Sequence, residues 1–337
     1  MTEKFPLFQL PYVALYEVLK HVRLEAMLPL SLCSKRSKLY VKDCQGPRKE
    51  ININLDISEN ILKVNYDSVI SVTAVSKLPK HLQTVSIGFH RVPVKMEEGI
   101  LKTYWLNEKE GLKEVVKYTS DVFNRELHSI SARGTSGEMR HWLEWIKTIQ
   151  GKLRRVFLCT SRKVVDDDLV LYILESDTVT SDISLYCRLS YGFRGPSPRP
   201  FSIDRLDLQP SYWVTLNHLL AMDIKQISLS DSSLKCQEIN IFLKKWINGE
   251  CSKRIKKLYV DMGYEVDDVL MEGIEVTRRN SNLRREYGTY DSVECICGGL
   301  DIRRKEDGAM ATVVYQPRRM SGLRVVFWPD YDGNPYH

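Results

Sequence analysis

Residues 212–262 read YWVTLNHLLAMDIKQISLSDSSLKCQEINIFLKKWINGECSKRIKKLYVDM, and two periods of hydrophobicity alternate along them. Tyr212 to Met222 and Gln237 to Ile247 carry apolar residues at three- and four-residue steps, the spacing of one face of a helix. Lys225-Gln226-Ile227-Ser228-Leu229 and Lys257-Leu258-Tyr259-Val260 instead alternate polar with apolar, the spacing of a strand. Ile239, Phe242, Leu243 and Trp246 share one face of the second helix, which makes Trp246 a core residue rather than a stacking platform, and Gly249 follows as the helix stop. Helix and strand in alternation define an α/β chain.

The same pattern extends upstream. Strand-like runs end at Leu158, Leu185, Leu208, Leu229 and Val260, at spacings of 27, 23, 21 and 31 residues, and a helix-like run spans Asp167 to Glu175. One strand and one helix every 20 to 30 residues is the period of an irregular leucine-rich-repeat-like α/β solenoid, although the asparagine that turns such repeats is missing from most. Gly192-Phe193-Arg194-Gly195-Pro196-Ser197-Pro198-Arg199-Pro200 interrupts the array and is expected to be a surface loop or a hinge. Downstream, Val293 to Ile302, Ala311 to Tyr315 and Leu323 to Trp328 are β-rich, with Asp307-Gly308 as a hairpin signal. They predict a C-terminal β-meander that gives the array a polar end, with Asp330 to His337 frayed beyond it.

The chain opens differently, with FPLFQLPYVALYEVLKHVRLEAMLPLSLCSKRSKLYVK from Phe5 to Lys42. Pro11 suits the first turn of a helix, whose backbone N–H has no intrahelical partner. Ala14, Leu15, Val18, Leu19 and Val22 then fall on one helical face, and Leu24, Met27, Leu28, Leu30, Leu32 and Cys33 form a second apolar group. Pro29 lies where a second short helix is expected, so that helix is predicted to begin or break there. About forty residues cannot bury this much apolar surface alone, and the surplus calls for a partner.

Two resemblances follow from these residues. Leu10-Pro11, Val18-Leu19, Leu24, Met27, Leu30 and Cys33-Ser34-Lys35-Arg36 resemble an F-box in order and spacing, with Ser37 where many F-boxes have a tryptophan. The train Leu219-Leu220, Ile227-x-Leu229, Ile239-Asn240-x-Phe242-Leu243-x-x-Trp246-x-x-Gly249 and Leu258 resembles the F-box-associated type 2 domain of a family expanded in nematodes. The F-box resemblance implies a three-helix motif that docks a Skp-family adaptor, with Leu10, Pro11, Val18, Leu19, Val22, Leu24, Met27, Leu30 and Leu32 as the adaptor-binding set. Together they imply four regions: an F-box at 1–46, an α/β repeat-like region at 47–200, the F-box-associated region at 201–275 and a β-rich cap at 276–337.

Composition bounds the partners. The 337 residues are 43% hydrophobic and 27% charged, an ordinary globular balance with room for a sizeable core. The net charge of +6 is unevenly spread: +4 over residues 1–50, +3 over 51–199 and −1 over 200–337. Basic doublets such as Lys244-Lys245 and Arg284-Arg285 are interleaved with acidic residues, so solvated surface is a better reading of them than a nucleic-acid interface. No apolar run reaches the roughly 18 residues a bilayer span needs, and the N-terminus is unlike a secretory signal, so the expected setting is intracellular, cytoplasmic or nuclear, without a membrane. Eight scattered cysteines and no Asn-x-Ser/Thr sequence agree with reduced thiols.

Catalytic chemistry is not signalled. Cys295-x-Cys297 is closer than a CxxC zinc knuckle and has no second pair, His141 beside Trp142 and Trp145 has no paired nucleophile, and Gly134-Thr135-Ser136-Gly137 lacks the spacing of a nucleophile elbow. Asp166-Asp167-Asp168 sits at the head of a helix, where acidic residues complement the dipole. The expectation is a non-catalytic receptor subunit of a Skp/cullin/F-box ubiquitin ligase, with no cofactor or metal and an α/β body that binds a target protein. A protein-interaction scaffold outside any ligase is the alternative, and a nucleic-acid or phosphoprotein binder is a further one.

Overall fold

The structure is a computed structural model, and it describes residues 7–44, 51–65, 67–134, 138–262, 268–288, 293–315 and 322–328. The expected end at Asp330–His337 and residues 135–137 of the Gly134–Gly137 loop lie outside the described residues. Eight α-helices and sixteen strands are described, and the fold is mixed α/β. The chain forms two compact units, residues 1–157 and 158–337.

The first unit opens with three short helices, α1 (Tyr12–His21), α2 (Leu24–Ser31) and α3 (Lys35–Asp43). Pro11 stands at the N-cap of α1, one residue before the first turn. Contrary to the expectation for Pro29, α2 runs through it. A proline removes one backbone donor and crowds the carbonyl four residues back, but here the helix has only two residues left before its end, which closes on a Leu32 N–H to Pro29 carbonyl bond of 3.2 Å. Helix α3 starts on a reciprocal cap: Ser37 N–H donates to Ser34 Oγ at 3.0 Å, and Ser34 N–H donates to Ser37 Oγ at 2.8 Å. Ser37 is buried there, so the small side chain at this position starts the helix.

Six strands follow without a helix between them: β1 (Ile53–Asp56), β2 (Ile61–Val64), β3 (Asp67–Ala74), β4 (Gln83–Ile87), β5 (His90–Glu97) and β6 (Ile100–Trp105). Then come α4 (Glu108–Phe123), β7 (Leu127–Arg133) and α5 (Met139–Ile149). The strands are ordered β7-β1-β2-β3-β6-β5-β4. Only β1 with β7 and β3 with β6 are parallel, the other neighbours being antiparallel. The expected repeat of one strand and one helix is therefore not what residues 51–105 form. Their strands are short and linked by turns at Asn60, Asn65, Gly88, Glu98 and Gly99, all at positive φ, and such links make meanders rather than crossovers.

The division between units falls inside β8 (Leu153–Val164). The second unit continues with α6 (Asp167–Glu175), β9 (Val179–Arg188), β10 (Arg205–Gln209), α7 (Leu216–Ala221), β11 (Gln226–Leu229), α8 (Cys236–Ile247) and β12 (Lys257–Asp261). Strands β9 to β12 pair in parallel and in sequence order. Each apolar residue of the alternation, from Ile183 and Leu185 to Leu258 and Val260, is buried, whereas Gln226, Ser228, Lys257 and Tyr259 between them are half-exposed. On the apolar face Trp246 of α8 meets Phe327 with ring centroids 5.1 Å apart, as its place in the helical stripe predicts.

The tail is larger than a three-stranded meander. Strands β13 (Thr277–Gly288), β14 (Val293–Arg303), β15 (Met310–Tyr315) and β16 (Gly322–Phe327) are antiparallel, and β16 pairs with β12 in antiparallel register, ending the parallel run. The β13–β14 hairpin is bulged between Arg279 and Arg284, opposite Gly298 and Gly299 at φ of 62° and 102°. A Cβ on Gly299 would stand 2.6 Å from Thr312 Cγ2, so the close approach of β15 requires glycine. Beneath this hairpin Arg285 is 1% exposed and donates to both oxygens of Asp301 at 3.0 and 3.1 Å. Thr312 Oγ1 donates to Asp301 at 2.6 Å and Trp328 Nε1 to Thr312 at 2.7 Å, so a buried ion pair is enclosed in hydrogen bonds.

The Gly/Pro-rich segment is a loop between β9 and β10, but it is pinned rather than hinged. His218 lies between Pro196 O, 2.8 Å from Nε2, and Thr215 Oγ1, 2.8 Å from Nδ1. Its ring, Trp213 and Phe193 stack edge to face. Gly195 at φ 69° passes so close to Trp213 that a Cβ would lie 2.1 Å from the indole.

Candidate functional site

Two surfaces collect the side chains that sequence and fold leave available, one in each unit. The first is on the three helices at the start of the chain. Leu15 and Leu19 of α1, Met27 and Leu28 of α2 and Val41 of α3 are buried. Helices α2 and α3 also pack on α4. Ser31 Oγ lies 3.1 Å from Tyr118 Oη, Lys38 and Lys42 pair with Asp121 at 2.7 and 2.6 Å, and the Lys38 ammonium sits 4.5 Å from the Tyr118 ring centre. The two lysines hold the Asp121 carboxyl below its ordinary value, Lys38 most strongly.

The nine residues expected to dock an adaptor divide between inside and outside. Leu19 and Met27 are enclosed within the chain and hold the helices together. Pro11 and Val18 are exposed, and Leu10, Val22, Leu24, Leu30 and Leu32 are partly covered. The α1 stripe is thus narrower than its periodicity implies, since only Leu15 and Leu19 point inward. What periodicity did not mark is an aromatic patch beside it. Tyr12, Val13 and Leu39 are 56, 73 and 61% exposed. Tyr12 is 6.1 Å from Tyr16 and 6.2 Å from Tyr40, and Phe8 stacks on Tyr40 at 6.2 Å. Arg36 Nε donates to Tyr40 Oη at 3.0 Å. The cluster of Phe8, Tyr12, Tyr16, Tyr40 and Arg36 has the tyrosine and arginine composition of an interface core. The signal in the sequence was Tyr12, Tyr16 and Tyr40 themselves, three tyrosines in a segment otherwise read for aliphatic spacing.

The second surface is the polar face of the parallel strands. Arg205 and Asp207 of β10, Gln226 and Ser228 of β11, Lys257 and Tyr259 of β12 and Arg324 of β16 line a cleft of about 190 Å³. The register sets Arg205 beside Gln226 and Gln226 beside Lys257, and Tyr259 beside Arg324, so the cleft is built by strand pairing. Asp207 accepts from Tyr186 Oη at 2.5 Å, and Glu294 pairs with Lys257 and, at 3.4 Å, with Arg324. Burial, followed by the Asp207 contact, pushes the Tyr186 hydroxyl well above the usual phenol range, and burial likewise raises Tyr259, so both are neutral hydrogen-bonding groups. Cations, a carboxylate, amide and hydroxyl groups side by side suit recognition of a polar chain.

Asp166 caps α6 by accepting from Asp168 N–H at 3.2 Å, and Asp167 accepts from Ser190. His141 packs its ring 6.0 Å from that of Trp142, a buried core residue. No cluster of three or more metal-ligating side chains occurs among the described residues. No described helix is long and apolar enough to cross a membrane.

Comparison with known proteins bears on the second surface. A family described as F-box associated matches residues 199–260. That segment forms β10, α7, β11, α8 and all of β12 except its last residue. An uncharacterized protein of Caenorhabditis elegans is 21% identical over 361 aligned positions, which cover 98% of this chain and 79% of the relative. A second uncharacterized protein of that organism is 22% identical over 336 positions, covering 93% and 76%. The E3 ubiquitin-protein ligase hecw-1 of C. elegans is 21% identical over 287 positions, covering 75% of this chain and 22% of that protein. No solved structure matches.

Proposed function

We propose that this chain is a non-catalytic substrate receptor of a Skp/cullin/F-box ubiquitin ligase, docking a Skp-family adaptor through its three N-terminal helices and a target protein through the polar strand face. The observation that carries the reading is the F-box-associated match at 199–260, because that segment builds the strands from which six of the seven polar residues lining the cleft project. Similarity to a protein named as an E3 ubiquitin ligase agrees with it. The exposed side chains of Tyr12, Val13 and Leu39 on the N-terminal helices supply apolar area for an adaptor, at roughly 25 cal/mol per Å² buried. The ligase chemistry belongs to the recruited ubiquitin-conjugating enzyme, and the receptor acts by holding the target near it.

The test is co-purification of the full chain with a Skp-family adaptor, beside Val13→Asp and Leu39→Asp. Both positions are exposed, so the variants stay folded, unlike a charge at the buried Leu19. The receptor reading expects the wild type to retain the adaptor and the variants to lose it. A second reading, an interaction scaffold outside any ligase, draws on the packing of the helices against Tyr118 and Asp121 of α4. Folded wild type that retains no adaptor selects it.

A further inference from the structure

Cys295 and Cys297 are both exposed on β14, and their sulfurs are 3.8 Å apart. Two residues apart on a strand, they face the same way. Ile296 between them turns to the opposite side, into a buried cluster with Tyr287, Met310 and Trp328. That cluster fixes the orientation of the hairpin, and the thiols lie outside it.

The sulfur separation is informative. Two thiolates on one tetrahedral zinc, each about 2.3 Å from the metal and about 109° apart, stand about 3.8 Å from each other. The pair already has that bite. A disulfide instead needs the sulfurs at about 2.05 Å, while two residues of strand rise set the Cα atoms about 6.6 Å apart, at the upper end of what a disulfide tolerates. Metal chelation therefore asks for less movement than oxidation.

We propose that Cys295 and Cys297 chelate a thiophilic divalent cation of the zinc or cadmium class on the outer face of the β13–β14 hairpin. This chain supplies two thiolates and the remaining positions stay open to water. Each thiol passes its proton to solvent, two sulfur–metal bonds form, two waters leave the cation, and no electron changes hands. Arg284 and Glu286 on β13 pair with Cys297 and Cys295 in register, which places one cation and one carboxylate beside the two thiols on the neighbouring strand. The site rests on neither docking surface and stands whether or not the chain joins a ligase.

The full chain, reduced with a phosphine and freed of metal, is titrated with cadmium ion alone while thiolate-to-metal charge-transfer absorption is read. Cys295→Ser, Cys297→Ser and the Cys33→Ser control are run in parallel, with thermal melting to confirm folding. Wild type and Cys33→Ser are expected to saturate at one equivalent, with apparent affinity at least about tenfold above that of either hairpin variant. Absence of a saturating equivalent in wild type, or equal uptake by the double Cys295→Ser, Cys297→Ser variant, overturns the proposal.

Discussion

Asp301 is 3% exposed and is the one carboxylate that receives Arg285, Arg279 and Thr312 together. Truncating it leaves a guanidinium buried without its counter-charge, so Asp301→Ala is expected to cost about 3–5 kcal/mol in urea unfolding. The double variant Arg285→Met, Asp301→Leu should cost less than the single one, because no charge is then stranded; the reverse order would refute this account of the pair. Gly195→Ala is expected to destabilise as well and to shift the Trp213 fluorescence, since the added methyl has no space beside the indole and φ 69° disfavours any side chain. Neither site was legible beforehand. Arg284-Arg285 reads as a solvated doublet, and only strand alternation with Tyr287 reveals that Arg285 turns inward.

At the scale of elements, legibility followed the length and purity of the pattern. The strand–helix alternation from Asp167 to Val260 is recovered element by element, because parallel strands under helices must keep their apolar residues on one face, although the helix expected over Tyr212–Met222 forms only at Leu216–Ala221 and β9 runs past Leu185 to Arg188. Strand β13 was missed: its residues carry Arg278, Arg279, Arg284 and Arg285, and charge hid a period of two. Strands β1 to β6 were missed because four- to eight-residue strands joined by turns show too few periods to count. The aromatic patch on the N-terminal helices was missed for a related reason, since Tyr12 and Tyr40 meet through tertiary packing and not through spacing. Two predictions belong here. His218→Ala removes the ring contact to Pro196 O and the Thr215 contact that orients the ring, and trypsin should then cut after Arg194 faster than in wild type; an unchanged rate would mean that Phe193 and Trp213 suffice. Asp121 ties α3 to α4, and its lowered pKa stabilises the contact fully above the ordinary 3.8 and loses that contribution as pH falls through the native value. Asp121→Asn should speed hydrogen exchange in α3 at pH 5 by up to about fivefold, the scale of a half-exposed ion pair, and the difference from wild type should vanish at low pH.

For the molecule as a whole, the receptor role proposed above requires that the chain carry no ubiquitin of its own. Burial pushes the thiols of Cys187 and Cys251 up to about 11, and Cys295 is raised too, so these sulfurs are protonated and poorly nucleophilic near neutral pH. On the proposed receptor reading, incubation with activating enzyme, conjugating enzyme and ubiquitin should leave no thiol-sensitive adduct on the full chain. An adduct would assign a transfer step to the chain itself.

Strand β12 gains its second neighbour from β16, which pairs with it from some sixty residues further along the chain. A ribosome making this protein thus releases a finished parallel array whose last edge stays bare until Gly322 to Phe327 emerge. Bare edges recruit other strands. A message truncated between these points would yield a product prone to self-association through Lys257–Asp261, although every residue of the matched segment had been translated.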